Sequence, residues 1–305
     1  MHTILLTRRL FPEAELLLER AFHRTRNHRL ADGVITQLTD PVDARFMDRM
    51  PRLRVISQCA VGVDNIELDA ARARGITVMN TPGVLTEAAA DMTWALILAV
   101  ARRVVEADRV CRAGAYKGWD LEYMLGREIA GGTLGIIGAG RIGTAVARRA
   151  EGFGMRVLYH GGSAPGAARK MTRASLPRLL QRSDVVSLHV PAAPATHHLI
   201  GARELALMKR TAILVNTSRG STVDESALID ALRRRVIWGA GLDVFEREPA
   251  IPAALRRLGN VVLTPHVASA TRQTRGAMAL TAARNLVDFF RRRPDPGRVV
   301  TASLS

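Results

Sequence analysis

The stretch Thr133–Gly162, TLGIIGAGRIGTAVARRAEGFGMRVLYHGG, decides the fold of this chain. It opens with an apolar run of buried-strand length, Leu134–Ile137, and then passes through a turn rich in glycine. Apolar residues recur at helical spacing after the turn, and a second apolar run follows at Met155–Tyr159. Strand, turn, helix and strand in this order predict a βαβ unit, the repeating element of a parallel sheet.

The turn GAGRIG, residues 138–143, carries the pattern GxGxxG at the point where that pattern has a structural meaning. Gly138 allows the tight turn, Gly140 lets the backbone approach a pyrophosphate, and Gly143 lets the helix pack closely on the strand. The N-terminus of the helix offers free N–H groups and a partial positive charge to the same anion. Glycines also mark ordinary turns, but both strands and the helix are in register here, so the stretch predicts a dinucleotide-binding unit.

Length and composition narrow the class of protein. At 305 residues the chain suits two domains, and its 48% hydrophobic content is that of a globular protein. The N-terminal MHTILLTRRL enters a strand at once without a signal-peptide pattern, and the most apolar helix, near residues 88–101, is interrupted by Asp91. Two cysteines, Cys59 and Cys111, make no disulfide framework. These features predict a cytoplasmic protein with no membrane partner.

The net charge of +16 raises the question of a nucleic-acid partner. Only three of the 44 basic residues are lysines, and the arginines are spread along the chain. Nucleic-acid binders usually concentrate their charge and interleave it with aromatic residues, which make up only 4% of this chain. The pattern favours a solvated, arginine-rich surface over a specific nucleic-acid site, and weak, salt-sensitive binding to polyanions is also consistent with it.

Strands alternate with helices along the whole chain, which predicts parallel sheets. Residues 86–105 read as one long helix that is apolar nearly all round, as expected of a buried or interface helix, and residues 163–174 read as a loop. Arg219, Glu248 and His266 each follow a predicted strand, and open α/β sheets bind ligands outside the carboxyl ends of their strands. The three residues can therefore converge on one crevice, although each alone also fits a surface or capping role.

Several motifs occur in one order from end to end of the chain: VGVDNIELDAARARGITVMNTPGVLTEAAAD, TLGIIGAGRIG, LVNTSRGSTVDESAL, GLDVFEREP and LTPHVASAT. Together they resemble the D-2-hydroxyacid dehydrogenases, and KGWDLEYMLGREIAGGTLGIIG is similar to the linker of the glyoxylate/hydroxypyruvate reductases among them. The resemblance implies an α/β protein with a Rossmann-type, doubly wound parallel sheet and a smaller, discontinuous flavodoxin-like domain. It implies a substrate domain of residues 1–95 and 286–305 and a dinucleotide-binding domain of residues 96–285.

The resemblance also implies that Arg219, Glu248 and His266 are the catalytic residues. Imidazole titrates near neutral pH, so His266 is the expected proton donor to the carbonyl oxygen of a 2-oxo acid that accepts hydride from the nicotinamide. Glu248 would orient the ring, and Arg219 would hold the substrate carboxylate with its planar fork of donors. The backbone N–H groups of Val61 and Gly62, with Arg219 and His266, would complete the substrate site.

The cofactor is expected along one edge of the dinucleotide-binding domain. The resemblance places it against the glycine turn, the end of the next strand and later loops: Gly138, Gly140, Arg141, Ile142, Gly143, Gly162, Ser163, Arg169, Lys170, Val190, Pro191, Thr196, Thr217, Ser218 and Asp243. The second strand of the βαβ unit ends at Gly161, where NAD-preferring proteins carry an acidic residue for the ribose hydroxyl. This absence predicts a preference for NADP(H) with NAD(H) use left open; the alternative is that Gly161 only relaxes selectivity.

Some positions depart from the family pattern. Residues 23–30 are polar and basic and read as too short, as if about one helix and one strand of the substrate domain were missing. Ala268 stands where the family commonly has glycine. Gln58 occupies the position where phosphoglycerate dehydrogenases tend to carry an arginine for the phosphate, which argues against a phosphorylated substrate. Cys59 is predicted as a packing residue and not as a reactive thiol.

Two further expectations concern metals and assembly. His189, His197 and His198 lack metal-ligand spacing to partner carboxylates, so the sequence predicts no metal. A homodimer is predicted, with the helix over residues 86–105 buried in it because one protomer would not cover such a surface. Trp119 either reaches the neighbour's site or is an ordinary buried tryptophan.

The sequence therefore predicts the reduction of a small 2-oxo acid such as glyoxylate or hydroxypyruvate. A longer sugar acid such as 2-ketogluconate is an alternative substrate in the same class. A dinucleotide-sensing, corepressor-like binding protein is an alternative from another class, because such proteins carry the same trio of residues. Formate dehydrogenase is disfavoured, since that relative has glutamine where Glu248 stands here.

Overall fold

Two separate sheets organise the chain. The computed structural model describes residues 1–162 and 171–301. The chain forms two compact units, of which one comprises Met1–Leu85 with Ser269–Ser305 and the other comprises Thr86–Ala268. Among the described residues, no helix combines the length and the apolar character needed to cross a membrane.

Strands and helices alternate through both units, as predicted. The strands are β1 Thr3–Leu6, β2 His23–Thr25, β3 Gly33–Thr36, β4 Val55–Gln58, β5 Thr77–Met79, β6 Thr133–Ile137, β7 Arg156–His160, β8 Met171–Arg173, β9 Val185–Leu188, β10 Ile213–Asn216, β11 Gly239–Leu242, β12 Val261–Leu263 and β13 Val299–Thr301. The helices are α1 Pro12–Ala21, α2 Ala44–Asp48, α3 Leu68–Ala73, α4 Thr86–Ala101, α5 Val104–Arg112, α6 Arg141–Ala150, α7 Leu176–Arg182, α8 Ala202–Leu207, α9 Glu225–Arg233, α10 Ala253–Arg256 and α11 Arg272–Phe290.

The larger unit, residues 86–268, contains a seven-stranded sheet whose paired strands are all parallel. Its strand order is β8-β7-β6-β9-β10-β11-β12, and the order reverses between β6 and β9. This is the Rossmann arrangement, so the predicted doubly wound sheet is confirmed. β8 lies within the stretch predicted as a loop over 163–174, and the part of that stretch from 163 to 170 lies outside the described residues.

The helix predicted over residues 86–105 is two helices, α4 and α5. α4 ends at Ala101, whose carbonyl oxygen accepts a hydrogen bond from the Arg127 N–H (2.7 Å), and Arg103 then takes a left-handed conformation with φ +53°. α4 packs against α6, β10 and β11, and the Trp94 indole N–H donates to the Val146 carbonyl oxygen (3.0 Å). These elements cover most of its apolar side chains, while Met92 and Leu98 are only partly buried, so the burial of α4 in a dimer stays a prediction.

The smaller unit contains a six-stranded sheet in the order β2-β1-β3-β4-β5-β13. β1 to β5 are parallel in the flavodoxin-like order, and β13 pairs antiparallel with β5. β2 pairs with β1 through residues 23–25, so the prediction that this domain lacks a strand is wrong. A single turn of 3-10 helix at His28–Leu30 stands between β2 and β3, and no α-helix does. The predicted flavodoxin-like domain is therefore present, with a short connection.

The boundaries of the two units differ from the expected domain boundaries. The chain divides at residues 85/86 and 268/269, whereas the sequence places the divisions at 95/96 and 285/286. α4 packs against α6, β10 and β11, which all belong to the larger unit. α11 packs against α1, β3 and β4 of the smaller unit. Each long helix therefore belongs to a single unit from its first residue.

Candidate active site

The three candidate catalytic residues follow neighbouring strands of the parallel sheet. Arg219 lies beyond β10, Glu248 beyond β11 and His266 beyond β12. His266 Nδ1 and Glu248 Oε2 are 2.8 Å apart, and the positive charge of Arg219 acts on the Glu248 carboxylate. The structure thus brings the three residues together at the carboxyl edge of the sheet, as their positions after successive strands predict.

The Glu248 carboxylate is stabilised in its ionised form. Burial by itself would raise its pKa, but hydrogen bonds from the His266 ring and from the Phe245 N–H (3.0 Å), with the charge of Arg219, hold the pKa below its ordinary value. About a third of each partner's side chain is exposed, 32% for His266 and 35% for Glu248. An ionised carboxylate at Nδ1 favours a proton on that nitrogen, which leaves Nε2 as the atom that can exchange a proton with a substrate.

The loop that carries His266 is fastened to a buried carboxylate. Asp243 directly follows β11 and is fully buried. Its Oδ1 accepts hydrogen bonds from the Thr264 hydroxyl (2.5 Å) and the Val267 N–H (2.9 Å), and its Oδ2 accepts one from the Ala268 N–H (2.8 Å). These bonds hold the chain on both sides of His266, whose backbone lies in the left-handed region with φ +52°. Asp243 therefore anchors this loop, and its expected contact with the cofactor stays a prediction.

A buried asparagine shapes the turn that carries Arg219. Asn216 ends β10, and its Nδ2 donates to the Arg219 carbonyl oxygen (2.9 Å) while its Oδ1 accepts from the Ser218 N–H (3.0 Å) and hydroxyl (2.8 Å). The next residue, Gly220, lies against the backbone of Phe245, and a Cβ atom at position 220 would overlap with it. The loops after β10 and β11 therefore meet at Gly220, which places Arg219 beside the loop that carries the catalytic carboxylate.

The glycine turn packs closely against neighbouring backbone and is open at Gly140, where nothing lies within 4 Å of a Cβ position. Gly138 has φ +95°, and a Cβ atom there would lie 2.7 Å from the His189 carbonyl carbon. A Cβ atom on Gly162 would lie 2.7 Å from the Ala139 nitrogen, so the end of β7 also approaches the turn closely. Gly140 is the N-cap of α6 and no side chain caps this terminus, so the first N–H groups of the helix face outward for an anion. The cradle fits the pyrophosphate of a dinucleotide.

The other predicted cofactor residues lie mostly on loops at the same edge. The hydroxyls of Thr217 and Thr93, which belongs to α4, are 2.9 Å apart. The Thr196 hydroxyl donates to the Pro191 carbonyl oxygen (2.6 Å), which closes the loop that follows β9. Three predicted cofactor residues lie outside the described residues: Ser163, Arg169 and Lys170.

Val61 and Gly62, the predicted carboxylate-binding residues, lie in the smaller unit in the loop after β4. Gln58 ends this strand and is fully buried, and its Nε2 donates to Asn65 Oδ1 (2.8 Å). Asn80 Nδ2 donates to the Val61 carbonyl oxygen (2.8 Å). Side chains buried beneath the loop therefore fix its shape, and the amide of Gln58 is used within the fold.

The burial or exposure of three other side chains bears on their predicted roles. It raises the pKa of the Cys59 thiol to about 11, with a partial offset from the charge of Arg275, so this thiol is protonated at neutral pH as a packing residue requires. Burial lowers the pKa of His189 to about 3, so its imidazole is neutral, and its Nε2 lies 2.9 Å from the Ser187 hydroxyl. Trp119 is 80% exposed, so the alternative of an ordinary buried tryptophan is wrong.

Two residues with clear roles in the site were missed by sequence reasoning: Asn216 and Gly220. Each acts through a contact within or between loops, and such contacts leave no periodic signal in the sequence. Their only sequence signal is position, because both lie at or just after the carboxyl end of a predicted strand.

Comparisons with known proteins identify the family. Residues 94–268 match the model of the D-isomer specific 2-hydroxyacid dehydrogenase NAD binding domain. A curated glyoxylate reductase of Korarchaeum cryptofilum is 53% identical to the chain over 273 residues, which make up 88% of this chain and 82% of that relative.

Solved structures of similar chains share the fold. A protein of Thermus thermophilus has a TM-score of 0.90 at 47% identity, covering 98% of this chain and 100% of that one. An NADPH-dependent glyoxylate/hydroxypyruvate reductase of Sinorhizobium meliloti, solved in complex with NADP and malonate, has a TM-score of 0.87 at 34% identity, covering 99% and 97% of the two chains. By these matches the chain belongs to the D-isomer specific 2-hydroxyacid dehydrogenase family and is an oxidoreductase that uses a nicotinamide dinucleotide.

Proposed function

We propose that this chain reduces a small 2-oxo acid, glyoxylate or hydroxypyruvate, to the 2-hydroxy acid, with the D configuration where the product is chiral. The Glu248–His266 pair beside Arg219 is the observation that carries the proposal, because it combines a proton donor with a group that binds carboxylates on a Rossmann sheet. The relatives from K. cryptofilum and S. meliloti, which are named as reductases of these substrates, support the choice.

In this proposal the side chains bind the substrate and supply its proton. When bound, the nicotinamide supplies the hydride to the carbonyl carbon. His266 donates a proton from Nε2 to the carbonyl oxygen, since Nδ1 is engaged by Glu248. Arg219 pairs with the substrate carboxylate and polarises the carbonyl.

A small substrate without a phosphate suits the residues of the carboxylate loop. Gln58 stands where a phosphate-binding arginine would be expected, and its amide oxygen accepts from the Thr36 hydroxyl (2.6 Å) while its amide nitrogen binds Asn65. This side chain therefore has no charge and little hydrogen-bonding capacity left for a phosphate. A 2-ketogluconate-type sugar acid remains the alternative that a substrate panel has to separate.

The test is a panel of 2-oxo acids with wild type and His266→Ala, followed by the absorbance of NADPH and NADH. We expect turnover of glyoxylate or hydroxypyruvate, and removal of the general acid should lower kcat by on the order of a hundred- to ten-thousandfold. His23→Ala, in the exposed edge strand β2, is the matched control and should behave as wild type.

Two outcomes would contradict the proposal. A kcat of His266→Ala within a few-fold of wild type would remove this residue as the proton donor. Binding of the dinucleotide without turnover of any 2-oxo acid would favour the dinucleotide-sensing protein over the enzyme.

A preference for NADPH is part of the proposal. β7 ends at His160, and neither the end of the strand nor Gly161-Gly162 after it includes a carboxylate to accept hydrogen bonds from the ribose hydroxyls or to repel a 2′-phosphate. Gly161 has φ +68°, and nothing lies within 4 Å of the position that its Cβ would occupy. The open space at this residue is compatible with the additional phosphate of NADP.

We also propose a homodimer, as the sequence predicts, and a segment that follows α5 offers an additional surface for it. Segment 116–125 exposes a cluster of large apolar side chains: Tyr116, Trp119, Leu121, Tyr123 and Leu125. Exposed apolar clusters of this kind mark interaction sites on soluble proteins. The segment follows α5 and belongs to the larger unit. Contact between the larger units of two copies would cover it.

A further inference from the structure

Two histidines and a glutamate come together on loops of the larger unit. His197 and His198 follow the loop after β9, and Glu246 follows β11, 48 residues beyond His198. One ligand atom from each residue lies within 4.8 Å of the other two. Within the ranges 1–162 and 171–301, this is the one such group of three His, Cys, Asp or Glu residues. The sequence predicts no metal here because no carboxylate lies at ligand spacing from these histidines. The fold brings such a carboxylate, that of Glu246, next to His198.

We propose that His197, His198 and Glu246 form a binding site for a divalent transition-metal ion, with Zn²⁺ as the best match. Two imidazoles and one carboxylate are donors that Zn²⁺, Ni²⁺ and Cu²⁺ bind in proteins, whereas Mg²⁺ and Ca²⁺ prefer oxygen ligands alone. Three protein ligands leave a fourth tetrahedral position for water. The site is separate from the Glu248–His266 pair, and no step of the proposed reduction uses it.

The distances are close to those that the ion requires. Zn–N bonds of about 2.0–2.1 Å put neighbouring tetrahedral ligands roughly 3.4 Å apart. His198 Nε2 and Glu246 Oε1 are already 3.0 Å apart. His197 is exposed, and its ring stacks on His198 with a centroid distance of 4.0 Å. Only the exposed ring of His197 has to tilt away from the stack, and rotation of an exposed side chain between staggered rotamers meets little resistance.

The two inner ligands are already positioned by the surrounding structure. The second carboxylate oxygen of Glu246, Oε2, accepts a hydrogen bond from the backbone N–H of Glu225 (3.4 Å). The backbone N–H of His198 donates to the Ser221 carbonyl oxygen (2.8 Å). Outer contacts of this kind orient metal ligands in proteins. They also mean that binding has to order only one side chain, that of His197.

The experiment is calorimetric titration of tag-free protein with Zn²⁺ on a Cys111→Ser background, which removes an exposed thiol. We expect one ion per chain, and His197→Ala and Glu246→Gln should each weaken binding by at least about tenfold. Binding should also weaken in acid, because protons compete with the ion for the imidazole nitrogens. His23→Ala, which removes an exposed histidine of the smaller unit, should leave the affinity unchanged.

Either of two results would overturn the proposal. No saturable binding of Zn²⁺ would show that the three side chains do not form a site. Equal affinity in His197→Ala and in its parent would show that the ion binds elsewhere; since His197 is exposed, this variant should fold normally. Neither result depends on whether the chain reduces 2-oxo acids, so this test is independent of the proposed function.

Discussion

Replacing Asp243 with asparagine tests how the fold positions His266, the proposed proton donor. The carboxylate accepts hydrogen bonds from two backbone N–H groups and one hydroxyl, all of them on the loop of residues 264–268. Asparagine keeps one acceptor oxygen but replaces the other with an NH₂ group. In either orientation of the amide, this NH₂ group faces a backbone N–H, of Val267 or of Ala268, that it cannot bind.

The magnitude follows from the contacts that are lost. One charge-assisted hydrogen bond contributes about 1.5–3 kcal/mol, and a buried N–H without a partner costs roughly 1–3 kcal/mol, with the two terms partly overlapping. We therefore expect Asp243→Asn to lower the free energy of unfolding of the larger unit by about 3 kcal/mol. Because the same bonds hold the loop on both sides of His266, kcat should also fall, on the order of a hundredfold for a displacement of about 1 Å.

The assay is urea unfolding of the apo protein followed by tryptophan fluorescence. All three tryptophans, Trp94, Trp119 and Trp238, belong to the larger unit, so their emission reports on that unit alone. Asp230→Asn is the matched control in the same unit, since the Asp230 side chain is 64% exposed in a surface ion pair, and it should change the free energy of unfolding by less than about 1 kcal/mol.

An Asp243→Asn variant with an unchanged unfolding midpoint and an unchanged kcat would show that the carboxylate neither stabilises the larger unit nor positions His266. Lower stability with a normal kcat would show that the carboxylate supports the fold without positioning the histidine. Because the unfolding is measured without cofactor, a contact between Asp243 and the dinucleotide cannot account for a loss of stability.

Three further predictions concern the cofactor, the loops and the assembly. Wild type should show a higher kcat/KM with NADPH than with NADH, and Gly161→Asp should shift this ratio towards NADH; an unchanged ratio would contradict the assignment of this position. Gly220→Ala should lower both kcat and the unfolding midpoint, because its Cβ would overlap with backbone, whereas Gly152→Ala, with nothing within 4 Å, should be close to neutral. Light scattering should give a dimer mass for wild type, and Trp119→Ser should shift it towards monomer; a monomeric wild type at micromolar concentration would count against the dimer.

Tertiary contacts decided several features against the local pattern. His23–Thr25 is a polar segment without apolar alternation, and it is a strand because β1 offers it a free edge. Residues 86–105 have a continuous helical pattern, yet the helix stops at Ala101 because the Arg127 N–H binds that carbonyl oxygen. In both cases a partner distant in sequence outweighs the propensity of the segment itself.

Residue spacing alone predicted the Rossmann sheet, and the strand order predicted that the three candidate catalytic residues follow neighbouring strands. Short-range physics is sufficient there: the glycine spacing of residues 138–143 specifies the turn, and carboxyl ends of adjacent parallel strands share one edge of a sheet. Arg219, Glu248 and His266 could therefore be placed together from their positions after β10, β11 and β12.

The side chains that hold the loops of that site, and the groups that lie near it, depend on long-range contacts. Asp243 and Asn216 became loop anchors because burial leaves their polar atoms no water to bind, so they bind the loops packed over them. Glu246 contacts His198, 48 residues away in the sequence, because the loops after β9 and β11 lie next to each other. Such contacts depend on which loops pack together, and this packing cannot be predicted from the spacing of residues along the chain.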